Sequence, residues 1–176
     1  RVGGARGAGG RANAWGGGPH CGLAHGDRLR SLPAQVQQVE MERNGERVTQ
    51  AGVPTAWDTC PVLFGEPGTN AQHSFIQLVH QGTRVIPVDF ILAANPDHVR
   101  PDAHRALAAN AFAQAEALMV GKSEAAIRAE MAAKGASASE IDAIAPHRVA
   151  PGERPSNTIM FGRLDAFALG RLIALY

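Results

Sequence analysis

Phe64–Thr83, FGEPGTNAQHSFIQLVHQGT, decides how this chain is read. A Gly/Pro-rich turn runs out of the short apolar strand PVLF (61–64) into a helical pattern. Thr69 and Gln72 have the spacing of a capping box, in which each side chain satisfies an orphan N–H of the other's backbone. Phe75, Leu78 and Val79 form the expected buried stripe, and Gly82 ends the helix. A strand, a tight turn and an amphipathic helix in that order are the unit of a parallel α/β sheet.

Outward from this unit the alternation continues. Upstream, Leu29, Leu32, Val36 and Val39 fall at helical spacing, with Pro33 in the first turn and Asn44-Gly45 as the stop. Downstream, RVIPVDFIL (84–92) predicts a strand, although Pro87 is awkward in a central position. An Ala-rich helix follows over 103–120, with Leu107, Ala111, Leu118 and Met119 inward. Ser123 caps another helix with Ile127 and Met131 inward, and Ser137 with Glu140 forms a second capping-box pattern. NTIMF (157–161) predicts a strand, and Asp165 caps the final helix. The fold class expected is three-layer α/β/α with a mainly parallel sheet.

Residues 1–26 stand apart. Half of the 20 glycines lie in the first 27 residues, and the first acidic residue is Asp27. Neither helical nor strand periodicity appears there, so a disordered or aberrant segment is expected, with the folded domain over 27–176. Three arginines and one tryptophan make a poor nucleic-acid arm. The opening arginine and the apolar close DAFALGRLIALY predict a piece of a longer chain.

Composition excludes little but narrows the classes. Hydrophobic residues are 45%, charged residues 19% and the formal net charge is +1. Such a chain has no field for nucleic acid or an anionic membrane. No apolar run approaches the ~18 residues of a membrane span. Cys21 and Cys60 make neither a disulfide framework nor a zinc pattern. A soluble chain in a reducing compartment is the expectation.

Two histidines mark the opening stretch. His73 and His80 lie seven apart, roughly 10 Å along a helix, too far for one metal ion. GEPGTN lacks the Gly-Lys-Ser/Thr of a phosphate loop. His73 falls in the first turn of its predicted helix, where positive charge is disfavoured. A neutral imidazole can donate from one nitrogen and accept at the other, which suits proton transfer to a sugar oxygen. A surface histidine that helps the cap is the alternative. In QQVEMERNG (37–45), Gln38 and Glu42 share a helix face, and Glu42 sits in the last turn. The negative helix end there would raise its pKa, as a base that must return its proton requires. An ordinary solvated glutamate is the alternative.

Together these stretches carry a resemblance. LPAQVQQVEMERNGERV (32–48), followed by GEPGTNAQHSFIQLVHQGTRVIPVDFI (65–91), resembles the glucose-6-phosphate isomerase (phosphoglucose isomerase) family. NAFAQAEALMVGKS (110–123), PGERPSNTIMF (151–161) and FALGRLIALY (167–176) continue it. The resemblance implies part of the C-terminal sugar-phosphate-isomerase-type (SIS-type) α/β domain, incomplete. It implies interconversion of glucose 6-phosphate and fructose 6-phosphate through a cis-enediolate, in the cytoplasm, with no metal or organic cofactor. The family's catalytic glutamate falls on Glu42, its ring-opening histidine on His73 and its substrate-side glutamine on Gln38. That histidine serves the partner subunit's site, so a homodimer is implied.

The departures are specific. Arg43 replaces the family's Ser after the glutamate, Gln35-Val36 replaces Tyr-Leu, and Ala71 replaces Gly. The phosphate-holding Ser/Thr loop, an arginine and a downstream lysine are not recognisable, so little or no activity is expected of this chain alone. Two other readings stand beside the isomerase fragment. One is a non-catalytic module that binds sugar phosphate or a protein partner; the other is a structural remnant.

Overall fold

A computed structural model describes residues 18–176. Four parallel strands form one sheet in the order β2-β1-β3-β4. They are β1 (His20–His25), β2 (Leu63–Pro67), β3 (Val88–Ala93) and β4 (Ser156–Phe161). Among the described residues, six α-helices lie in the connections, α1 (Leu32–Gln37), α2 (Gly68–Ala71), α3 (Ile76–Gln81), α4 (Pro101–Val120), α5 (Glu124–Ala133) and α6 (Ala138–Ile144), and α7 (Ala166–Leu175) follows β4. A π-helical turn, Gln38–Glu42, continues directly from α1.

Strand alternation sorts the core into two layers. Cys21, Leu23, Phe64, Val88, Phe90 and Leu92 face one side, where α2, α3 and α4 cover them with Ala71, Val79, Ala111 and Leu118. Ala24, Leu63, Ile91 and Ile159 face the other, under Leu32 and Val36 of α1 and Leu172 of α7. This is the expected α/β/α sandwich. Helices α5 and α6 make a small third cluster around Ile127, Met131 and Ala145.

The central strand is the first correction. β1 lies within the segment expected to be disordered, and His20, Cys21, Leu23, Ala24 and His25 are buried. A strand flanked and covered on all sides needs no polar face, so HCGLAH carries no alternation to detect. The fold therefore starts before residue 27; residues 1–17 of that expectation lie outside the described ones. Pro87 is the second. It precedes β3 rather than interrupting it, and its carbonyl accepts from Cys21 N at 2.9 Å. A proline just outside the strand removes no ladder donor.

The predicted helix after GEPGTN is broken. α2 ends at Ala71, residues 72–75 form turns, and α3 starts after Phe75 (φ −136°, ψ 0°). Pro67 is the N-cap, so the Thr69–Gln72 capping box does not form. The break releases Leu78 to solvent, 52% exposed, while Val79 stays buried. Met119 likewise points outward beside the buried Leu118. Other caps match expectation. Ser137 and Glu140 form the reciprocal box, and Ser123 and Asp165 accept from Ala126 N and Ala168 N.

A buried polar centre ties the layers together. Asp89 of β3 accepts from His20 Nε2 at 2.7 Å, Asn157 Nδ2 at 2.8 Å and Tyr176 OH at 2.8 Å. Burial pushes this carboxyl up, but the His20 hydrogen bond and charge, with Asn157 and Tyr176, hold it below the ordinary value. Three strands and the end of α7 thus meet on one carboxylate.

Candidate functional site

Gln38 and Glu42 bracket the π turn. Its register differs from the predicted α-helix: the inward residues are Leu32, Val36 and Met41, at spacings of four and five. Val39, expected inward, is displaced. The five-residue step is the π turn itself. Met41 Sδ accepts from the backbone N–H of Leu63, the first residue of β2, at 3.3 Å. This places Glu42 at the amino-terminal end of the sheet, on the α1 face.

The surroundings of Glu42 differ from the expectation. It is exposed, and its Oε2 lies 3.8 Å from Arg43 Nε. The half-buried carboxyl of this turn is Glu40. Burial raises its pKa, against the hydrogen bond from Asn44 that lowers it. Gln38 is exposed.

His73 lies elsewhere. It sits in the turn between α2 and α3, not in a helical first turn, and its backbone N–H donates to Asn70 O at 2.9 Å. Its side chain is exposed. The next residue, Ser74, donates through Oγ to Glu66 Oε2 at 2.8 Å, near the carboxyl end of β2. Ala71 and Val79, on either side of His73, pack into the opposite core layer from Met41. Glu42 and His73 are thus separated by the sheet's thickness and by ~10 Å along β2. The structure does not bring the two together within one chain.

The glycines of GEPGTN have a packing role. A Cβ at Gly65 would lie 2.0 Å from the Gly22 carbonyl oxygen, and one at Gly68 would lie 2.1 Å from the His25 ring. These glycines let β2 and α2 close onto β1. His25 is itself buried. Burial lowers its pKa, against hydrogen bonds to the Leu23 carbonyl and Asn110 that raise it. His80 has a structural contact: its Nε2 hydrogen-bonds with Gln114 Oε1 of α4 at 3.0 Å.

A cleft of about 450 Å³ opens at the carboxyl ends of β1 and β3, lined by His25, Arg28, Asn95, Asp97, His98 and His104 among others. Adjacent strands diverge there to connections on opposite sides, where open α/β sheets commonly take ligands. None of Gln38, Glu42 or His73 lines it. The amino-acid sequence gives no sign of this cleft, because HCGLAH carries no alternation that would mark β1 as a strand. Among the described residues, no group of three or more His, Cys, Asp or Glu side chains is arranged to hold a metal ion. The Cys21 thiol is pushed up to about 12 by burial and by the Asp89 and Glu66 charges, so it is no nucleophile. No described helix is long and apolar enough to cross a membrane.

Comparison with known proteins covers nearly the whole chain. Residues 11–176 match the family model described as phosphoglucose isomerase. A glucose-6-phosphate isomerase of Rhizobium meliloti is 51% identical over 156 residues, 88% of this chain and 29% of the relative. One from Methylocella silvestris is 49% identical over 154 residues, covering 88% and 28%. Glucose-6-phosphate isomerase 1 of Chromobacterium violaceum is 47% identical over 164 residues, covering 93% and 30%. A crystal structure of a glucose-6-phosphate isomerase from Chlamydia trachomatis superposes with a TM-score of 0.69 at 29% identity, over 95% of this chain and 30% of that one. The chain spans about 30% of the length of the curated relatives it matches.

Proposed function

Because the chain belongs to the phosphoglucose isomerase family, we propose that it is a segment of a cytoplasmic glucose-6-phosphate isomerase, drawn from its SIS-type domain. The whole enzyme interconverts glucose 6-phosphate and fructose 6-phosphate. Glu42 takes the proton from C2 of the opened aldose and returns it to C1, through a cis-enediolate. Gln38, four residues earlier on the same turn, contacts the substrate. His73 exchanges a proton with the ring oxygen to open the sugar. A carboxylate and an imidazole suffice for these transfers, so no cofactor is assigned.

The observation that carries the mechanism is the placement of the pair. Glu42 and His73 are both exposed, on opposite faces of one sheet and towards opposite ends of β2. Two copies related by a twofold axis can present the His73 turn of one to the Glu42 turn of the other. A homodimer is therefore part of the proposal, and the 176-residue chain alone is inactive in it. The second reading, a binding module without catalysis, is favoured by Arg43. Its guanidinium stands beside the Glu42 carboxylate.

The test is a chimera in which residues 18–176 replace the matching region of the Methylocella silvestris protein. Conversion of glucose 6-phosphate should be measurable. Glu42→Gln should lower kcat by about 10²–10⁴-fold, the usual worth of a general base. A chimera without turnover beside an active parent supports the binding module. Turnover untouched by Glu42→Gln removes the catalytic assignment.

A further inference from the structure

The turn that carries Gln38 and Glu42 is held in an unusual register by residues that bear no acid–base chemistry. From Val36 the next inward residue is Met41, five positions on. An α-helix would have placed Val39 or Glu40 under the sheet-facing stripe and swung Glu42 to a different azimuth. π turns widen the backbone ring and leave carbonyls in need of new donors.

Three residues secure this one. Met41 packs against the α1 face of the sheet, and its sulfur accepts from the Leu63 N–H. Asn44 donates through Nδ2 to the Val39 carbonyl at 3.2 Å, while its backbone N–H donates to the Glu40 carbonyl at 3.1 Å. Gly45 then passes so close to the turn that a Cβ there would lie 2.3 Å from the Met41 carbonyl oxygen. Met41 anchors the turn to β2, and Asn44 with Gly45 closes it. Glu42 is enclosed between them in sequence, exposed and without any fixing contact beyond Arg43.

We propose that Met41 and Asn44 are positioning residues, which hold the Gln38–Glu42 segment in π register and so aim the Glu42 carboxylate at the sugar's C1–C2 edge. The inference rests on the isomerase reading of Glu42. A carboxylate that shuttles a proton between adjacent carbons must hold its place closely, since a displacement of about 1 Å can cost on the order of 10²-fold in rate. An exposed glutamate obtains that precision only from its backbone. Here the backbone is fixed from one side by a thioether and from the other by a carboxamide.

The test has two arms. In the chimera, Met41→Leu keeps volume and apolar character but deletes the acceptor for Leu63, and Asn44→Ala deletes the donor to Val39. Each should lower kcat by about 10- to 100-fold, with KM changed less than about threefold and Tm nearly unchanged. A residue that matters only for folding would move Tm and the yield of active enzyme, not kcat per folded site. In the 176-residue chain, amide hydrogen exchange at Leu63 should accelerate in Met41→Leu. A variant pair that retains kcat while Glu42→Gln abolishes it overturns the inference and leaves the isomerase reading standing. Glu42→Gln without effect overturns that reading, and the inference with it. Unchanged Leu63 exchange in Met41→Leu overturns the anchoring contact whatever the kinetics show.

Discussion

The interior of the sheet and its two rim turns are built by opposite rules. In the interior, β1 and β3 are covered on both faces, and the buried carboxylate of Asp89 is paired with His20, Asn157 and Tyr176. At the rims, Gln38, Glu42 and His73 stand in solvent on irregular backbone: a π turn at one end and a broken helix at the other. Burial specifies the first region and leaves it chemically inert. Backbone irregularity specifies the second and leaves its side chains free to react. The difference implies that stability and function separate cleanly along the chain.

Asp89 offers the strongest way to break that separation. Hydrogen bonds to a charged group contribute about 1.5–3 kcal/mol each, and the Asp89 carboxylate accepts from His20, Asn157 and Tyr176. Asp89→Ala removes all three and leaves the buried His20 Nε2 without its acceptor, so thermal and denaturant unfolding of the 176-residue chain should show a loss of at least that order. The pH dependence has a definite sign. The folded pKa lies below the unfolded value of about 3.9, so the contribution is full above that pH. It is lost as pH falls through the folded pKa. The gap between wild type and Asp89→Ala should therefore narrow below about pH 4. A gap that widens in acid would mean that Asp89 is not the charged centre of the cluster.

Leu118 and Met119 sharpen the same comparison within one helix. Leu118 is fully buried in the sheet-facing layer, and Met119 is 64% exposed. Leu118→Ala should cost about 2–5 kcal/mol. Met119→Ala should stay within about 0.5 kcal/mol, as surface changes do. Equal costs would show that the outer face of α4 is packed against something in solution.

What the amino-acid sequence revealed follows the same division. The parallel α/β plan was legible because β3, β4 and the capped helices carry local signals: an apolar run, or Ser137 with Glu140 three residues on. β1 was illegible because a strand buried on both faces has no polar alternation, and two histidines and a glycine disguise it. The register of the π turn was illegible for a different reason. Val39 and Met41 are both apolar, and the choice between them is made by the Leu63 amide, 22 residues away from Met41. The break after Ala71 was hidden by a plausible capping pair, Thr69 and Gln72, which loses to the closer approach that Gly68 permits against His25. The family phrases named Glu42, His73 and Gln38, but the separation of the first two is a property of sheet topology alone.

The smallest expected effect bears most directly on the division. If the rim residues exist for chemistry, the fold should not miss them. Glu42 has one contact, to Arg43 at 3.8 Å with both side chains 68% exposed, and such pairs stabilise little. His73 contributes its backbone N–H to the turn, which any residue but proline retains. Glu42→Gln and His73→Asn in the 176-residue chain should each leave the unfolding free energy within about 0.5 kcal/mol of wild type. The chimera carrying Glu42→Gln should meanwhile be nearly inactive. A loss above about 1 kcal/mol for either substitution would place that residue in the framework. The separation between a sealed interior and a reactive rim would then fail at the position where it matters most.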